Sequence, residues 1–129
     1  MRAADPARVL VVDDDPVIRE VVSAVLSDAT CELLVARSGT EALDAAQLHR
    51  PHVVVLDVMM PGMNGFEVCR RIRALPELQG TVVVMLTALD TQTSRDEGMD
   101  SGADLYLTKP FSALDLLGAV HEAVARVVR

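Results

Sequence analysis

The chain has 129 residues, 12 of them basic and 19 acidic, for a formal net charge of -7. That length fits one domain, the 50% hydrophobic content excludes a disordered chain, and the acidic excess argues against direct binding to nucleic-acid phosphates. The longest apolar runs, such as Val82 to Leu86, fall far short of the roughly 20 residues that cross a bilayer, so no membrane association is expected.

The N-terminal MRAADPAR has no apolar stretch after its first charge, which does not read as a secretory signal and points to the cytoplasm. Residues 1–7 read as a flexible lead. From there, short β-branched runs alternate with longer amphipathic segments, the pattern of βα units on a parallel sheet. The first strand, Arg8 to Val12, runs into Asp13-Asp14, and Asp15 followed by Pro16 is an N-cap with proline at the first helical position. The second strand is Glu32 to Ala36, and Ser38 with Glu41 has the spacing of a capping box for the second helix. The third strand, Val53 to Leu56, ends at Asp57, with Asn64 and Glu67 set to cap the third helix. Arg70, Arg71 and Arg73 lie on that helix opposite Phe66, Cys69 and Ile72 and read as a solvated face.

The fourth strand, Thr81 to Leu86, runs into Thr87. Asp90 is the expected cap of a fourth helix that is almost wholly polar and therefore weakly docked. The fifth strand, Asp104 to Thr108, runs into Lys109, and Ser112 is placed to cap a last helix over Ala113 to Val128. The apolar stripe of that helix, from Leu114 to Val127, is wider than one sheet contact requires, so part of it is expected to face a partner. Four of the five strands are apolar almost throughout, as strands buried on both faces are. Cys31 and Cys69 have neither disulfide nor metal-site spacing and read as small buried hydrophobes.

Ligands of open parallel sheets collect outside the carboxyl ends of the strands, and here four strands deliver polar groups to that edge: Asp13-Asp14, Asp57, Thr87 and Lys109. Carboxylates gathered there would raise one another's pKa unless a cation sat among them. Hard oxygen donors favour Mg²⁺, whose octahedron is often completed by phosphoryl oxygens. The chain uses eleven arginines and one lysine, and that lysine, Lys109, stands at the same edge as a point charge for phosphate. A carboxylate can attack phosphorus to give an aspartyl phosphate. Asp57 is the best-placed nucleophile, the Asp13-Asp14 pair suits a metal, and Thr87 can donate a hydrogen bond to a phosphoryl oxygen. Taken alone, Asp13 to Asp15 could equally be a capping acidic turn, and Tyr106 could be an ordinary core aromatic.

These residues resemble the receiver domains of bacterial response regulators, a family that includes a single-domain chemotaxis regulator. The resemblance spans essentially the whole chain, residues 1–129, and rests on Val11 to Pro16, on Leu56 to Gly65, on Leu86-Thr87-Ala88 and on Gly102 to Phe111. It implies an α/β fold, a flavodoxin-like (βα)5 doubly wound sheet of five parallel strands in the order 2-1-3-4-5. It further implies phosphorylation of Asp57 by a sensor histidine kinase or phosphotransfer protein, and Mg²⁺ held by Asp14, Asp57 and the backbone carbonyl of Met59, with Asp13 acting through water. Thr87 and Tyr106 match the family's switch pair, in which the hydroxyl moves toward the phosphoryl group and the ring turns inward. The Lys109-Pro110 bond is expected to be cis. The implied output face is the fourth helix, fifth strand and fifth helix, offered to a downstream output domain or partner protein, or to a second copy in a homodimer.

Met59 and Leu89 are apolar at two positions where polar side chains could guide an attacking water, so self-dephosphorylation is expected to be slow. A phosphatase of the haloacid dehalogenase type would need a second acid where this chain has Met59. The remaining alternative is a phosphorylation-independent interaction module on the same fold, against which Asp14, Asp57, Thr87 and Lys109 argue. On the receiver reading the domain is not an ordinary metabolic enzyme, since it promotes only its own phosphoryl transfer and hydrolysis. The sequence fits a stand-alone regulator and the first domain of a longer one equally well.

Overall fold

The computed structural model describes residues 6–27, 31–88 and 92–128. In chain order the elements are β1 (Ala7–Val12), α1 (Pro16–Leu26), β2 (Cys31–Ala36), α2 (Gly39–His49), β3 (Val53–Asp57), α3 (Gly65–Ala74), a short 3-10 turn (Pro76–Leu78), β4 (Val82–Thr87), α4 (Gln92–Asp100), β5 (Leu105–Thr108) and α5 (Ala113–Val128). The five strands are parallel and lie in the order β2-β1-β3-β4-β5. This is the flavodoxin-like doubly wound sheet.

Side chains alternate across the strands and divide the core in two. Leu10, Val12, Val54, Leu56, Val83 and Met85 point to the face covered by α2 and α3, where Ala42, Ala46, Val68 and Ile72 meet them. Val9, Val11, Val53, Val55, Val84 and Leu86 point to the other face, against Val22 and Leu26 of α1 and Leu116, Val120 and Ala123 of α5. Burial on both faces holds for the three central strands, one fewer than expected. The edge strands β2 and β5 are largely half-buried, because each lacks a neighbour on one side.

Local signals set the helix starts. Asp15 accepts from Val17 N at 2.9 Å, Ser38 Oγ from Glu41 N at 3.1 Å and Asn64 Oδ1 from Glu67 N at 3.0 Å. Ser112 and Asp115 form a reciprocal box, Asp115 N donating to Ser112 Oγ and Ser112 N to Asp115 Oδ2. The expected cap Asp90, like Leu89, lies outside the described residues.

Several expectations change. β1 begins at Ala7, which is buried and paired with Cys31, so that residue belongs to the sheet and not to a lead segment. Cys69 is fully buried but Cys31 only half so. Arg73 is not part of a solvated face: its guanidinium reaches across to Gly102 O at 2.9 Å, Thr81 O at 2.6 Å and the Asp104 carboxylate. Leu117, Ala119, Val124 and Val127 pack onto the α1/α5 cluster, and Leu114, at 80% exposure, stands clear of it. Most of the α5 stripe is thus used inside the domain.

Candidate functional site

With the strands in this order the chain turns outward from β1 to β2 and then crosses to β3, so the carboxyl ends of β1 and β3 flank the point where the winding reverses, the usual place for a ligand. Asp13 follows β1 directly and Asp57 is the last residue of β3. Both are buried, at 1% and 3% exposure, whereas Asp14 is exposed. One oxygen from each of these three carboxylates can be chosen so that all lie within 4.8 Å of one another. Lys109, just past β5, sends its ammonium between two of them, with Nζ 3.1 Å from Asp13 Oδ2 and 3.1 Å from Asp57 Oδ1.

Neighbouring backbone fixes this arrangement. Asp13 Oδ1 accepts from Asp15 N at 3.0 Å, and Arg19 donates to the Asp13 carbonyl at 2.8 Å. Val58 N donates to Leu86 O at 2.9 Å and Lys109 N to Thr87 O at 2.7 Å, which ties together the loops that leave β3, β4 and β5. The turn Pro61 to Gly65 returns the chain onto β3. There a Cβ at Gly65 would sit 2.3 Å from the Asp57 carbonyl oxygen, so only glycine permits the approach.

Burial pushes the Asp57 carboxyl above its ordinary value. The hydrogen bond from Lys109 pulls it back, and the Asp13 charge raises it again. Burial alone would lower the Lys109 ammonium, but the Asp57 and Asp13 carboxylates outweigh it and leave its pKa raised. Three carboxylates against one ammonium leave an excess of negative charge in a pocket of hard oxygen donors. That donor set fits a divalent cation of the Mg²⁺ kind.

Thr87 closes β4 and is fully buried. Tyr106 lies on β5 opposite Met85, on the sheet face that Met85 shares with Thr87. The Lys109-Pro110 peptide is cis. Met59 is 60% exposed beside the acid cluster. The structure thus brings Asp13, Asp14, Asp57 and Lys109 together and sets Thr87 and Tyr106 on adjacent strands. Sequence reasoning missed Arg19, which a basic residue one turn into α1 could have signalled, and Ser94, whose Oγ lies 2.8 Å from the Tyr106 hydroxyl. No local pattern announces that second contact. Among the described residues no helix is long and apolar enough to cross a membrane.

Comparison with known proteins agrees with this geometry. Residues 9–121 match the model of the response regulator receiver domain. Response regulator MprA of Mycobacterium sp. (strain KMS) is 43% identical over 121 residues, covering 94% of this chain and 52% of its own. The chain therefore spans about half the length of the curated relatives it matches. The chemotaxis protein CheY4 of Vibrio cholerae is similar with a TM-score of 0.87 at 39% identity, covering 92% of this chain and 98% of that one. DrrB of Thermotoga maritima, an OmpR/PhoB homologue, is similar with a TM-score of 0.85 at 36% identity, covering 94% of this chain and 54% of its own. The chain belongs to the response regulator receiver domains of two-component signalling systems.

Proposed function

We propose that the domain is a phosphorylation-dependent signalling switch in which Asp57 accepts a phosphoryl group from a sensor histidine kinase or phosphotransfer protein. The observation that carries this reading is the Lys109 ammonium held 3.1 Å from both Asp13 and Asp57 at the buried strand ends. An Asp57 oxygen attacks phosphorus, the bond from phosphorus to the donor imidazole nitrogen breaks, and the electron pair leaves with the imidazole. Lys109, already beside the nucleophile, pairs with a phosphoryl oxygen, and the Thr87 hydroxyl donates to another. Asp13, Asp14, Asp57 and, on the family likeness, the Met59 carbonyl would hold Mg²⁺, which supplies neutralisation of the charge gathered on the phosphoryl oxygens.

The receiver domain of DrrB is known in a BeF3-activated form, and the same kind of activation is proposed for this chain. The signal would leave through α4, β5 and α5, where Met99 and Leu114 are exposed at 56% and 80%, toward an output domain, a partner protein or a second copy. The domain then acts as its own timer and not as a metabolic enzyme, because only its own phosphoryl group turns over.

Intact-mass analysis after treatment with acetyl phosphate, with and without Mg²⁺, tests site and metal together. Wild type should gain a single Mg²⁺-dependent phosphoryl adduct and Asp57→Asn none. No adduct on folded wild type would turn the reading to a phosphorylation-independent interaction module.

A further inference from the structure

Helix α4 offers the sheet very little apolar surface. Ser94 and Gly98, one turn apart, are its buried residues, and both meet Tyr106. A hydrogen bond of 2.8 Å joins Ser94 Oγ to the Tyr106 hydroxyl. A Cβ added at Gly98 would lie 3.2 and 3.3 Å from Tyr106 Cε2 and Cδ2, so the missing side chain is the space into which the ring packs. Arg95 covers the ring from outside, its guanidinium carbon 5.4 Å from the centroid. The far end of the helix is pinned separately, by Gly102 N on Met99 O at 3.0 Å and by Arg73 Nε on Gly102 O at 2.9 Å. Of the two residues that meet Tyr106, Gly98 lies beside that pin and Ser94 lies in the first turn of α4, away from it.

We propose that Ser94 and Gly98 are positioning residues for the switch tyrosine. The Ser94 hydroxyl latches the Tyr106 ring against α4, and loading of Asp57 has to break that latch. The inference rests on the phosphorylation switch proposed above, together with the switch pair that the family resemblance implies, in which the Thr87 hydroxyl moves toward the phosphoryl group and the Tyr106 ring turns inward. A bond made in only one of the two ring positions biases the equilibrium by its own worth. Removing it favours the loaded state.

Tyr106 is the chain's one tyrosine and no tryptophan is present, so tyrosine emission of the intact domain reports on this ring alone. The experiment titrates beryllofluoride with Mg²⁺ into wild type, Ser94→Ala, Ser94→Thr and Asp57→Asn and follows that emission. Ser94→Ala should change the emission before any addition and lower the half-saturating beryllofluoride concentration by about 2- to 10-fold, the span of one neutral hydrogen bond. Ser94→Thr, which keeps the hydroxyl, should titrate as wild type. A purely structural role would lower the melting temperature without moving the midpoint. A Ser94→Ala midpoint equal to or above that of wild type overturns the latch while leaving the switch intact. A wild type that responds no more than Asp57→Asn overturns the switch and the latch together.

Discussion

Asp57 is held in a position that costs the fold energy. Its carboxyl is buried and faces the Asp13 charge, and the Lys109 ammonium does not fully offset these, so its pKa is raised. A carboxyl with a raised folded pKa leaves stability intact at low pH and withdraws it as pH climbs through the folded value. In metal-free buffer at pH 7, Asp57→Asn should therefore melt above wild type, because the neutral amide removes the repulsion while Lys109 keeps Asp13 as a partner. Melting curves at stepped pH should show the gap closing below about pH 4, where the free carboxyl is itself protonated. A mutant that melts lower at pH 7 would mean that the Lys109 pair outweighs burial. Met59 bears on the lifetime of the phosphoryl group. Its side chain stands exposed beside the nucleophile and can offer an attacking water nothing but hydrocarbon, so Met59→Asn should speed loss of the phosphoryl group several-fold. Decay of the mass adduct measures this, and an unchanged half-life would show that water is guided from elsewhere.

Helix α3 contributes more than an amphipathic wall. Phe66, Val68, Cys69 and Ile72 bury one face as its periodicity predicts, and Arg70 and Arg71 form the exposed ion pairs with Glu67 and Glu97 that such a face commonly carries. Arg73 departs from this pattern. It ends the helix beside the chain leaving α4, where Gly102 adopts a φ of +103 and a Cβ would lie 2.6 Å from Arg73 Cγ. Its partner Asp104 also accepts from Val83 N at 2.8 Å, so one carboxylate joins α3, β4 and the entry to β5. Arg73→Ala would leave the Asp104 carboxylate with its bond from Val83 N and take the guanidinium from two carbonyls, and urea unfolding should show a loss of about 1–3 kcal/mol. Arg73→Lys should recover less than half of it, since one ammonium cannot span three acceptors that a planar guanidinium reaches. A loss below about 0.5 kcal/mol, the level of an exposed pair, would return Arg73 to the solvated face.

At the scale of the molecule, what could be read in the sequence is what contiguous residues decide. Strand, cap and terminal polar residue sit within a few positions of one another at Val12-Asp13, Leu56-Asp57 and Ser38 to Glu41, so alternation and capping chemistry were enough to place them. The hold of Arg73 on Asp104 and of Ser94 on Tyr106 joins residues 31 and 12 positions apart, and no local pattern encodes such pairs. The half-burial of β2 and β5 depends likewise on which strands end up at the edges. The acid site combines both levels. Each carboxylate is locally specified, but only the reversal of winding between β1 and β3 brings Asp13, Asp14 and Asp57 within reach of one ion. Because the unfolded chain scatters these groups, an ion bound by them stabilises the folded state alone, and the stability gained above the dissociation constant should rise by about 1.4 kcal/mol per decade of Mg²⁺. Calorimetry of wild type across a Mg²⁺ series should show that rise, with Ca²⁺ weaker if the pocket demands the smaller octahedron. Asp13→Asn should flatten the curve. A flat curve for wild type would mean that Lys109 alone balances the site, and that a cation enters only together with the phosphoryl group.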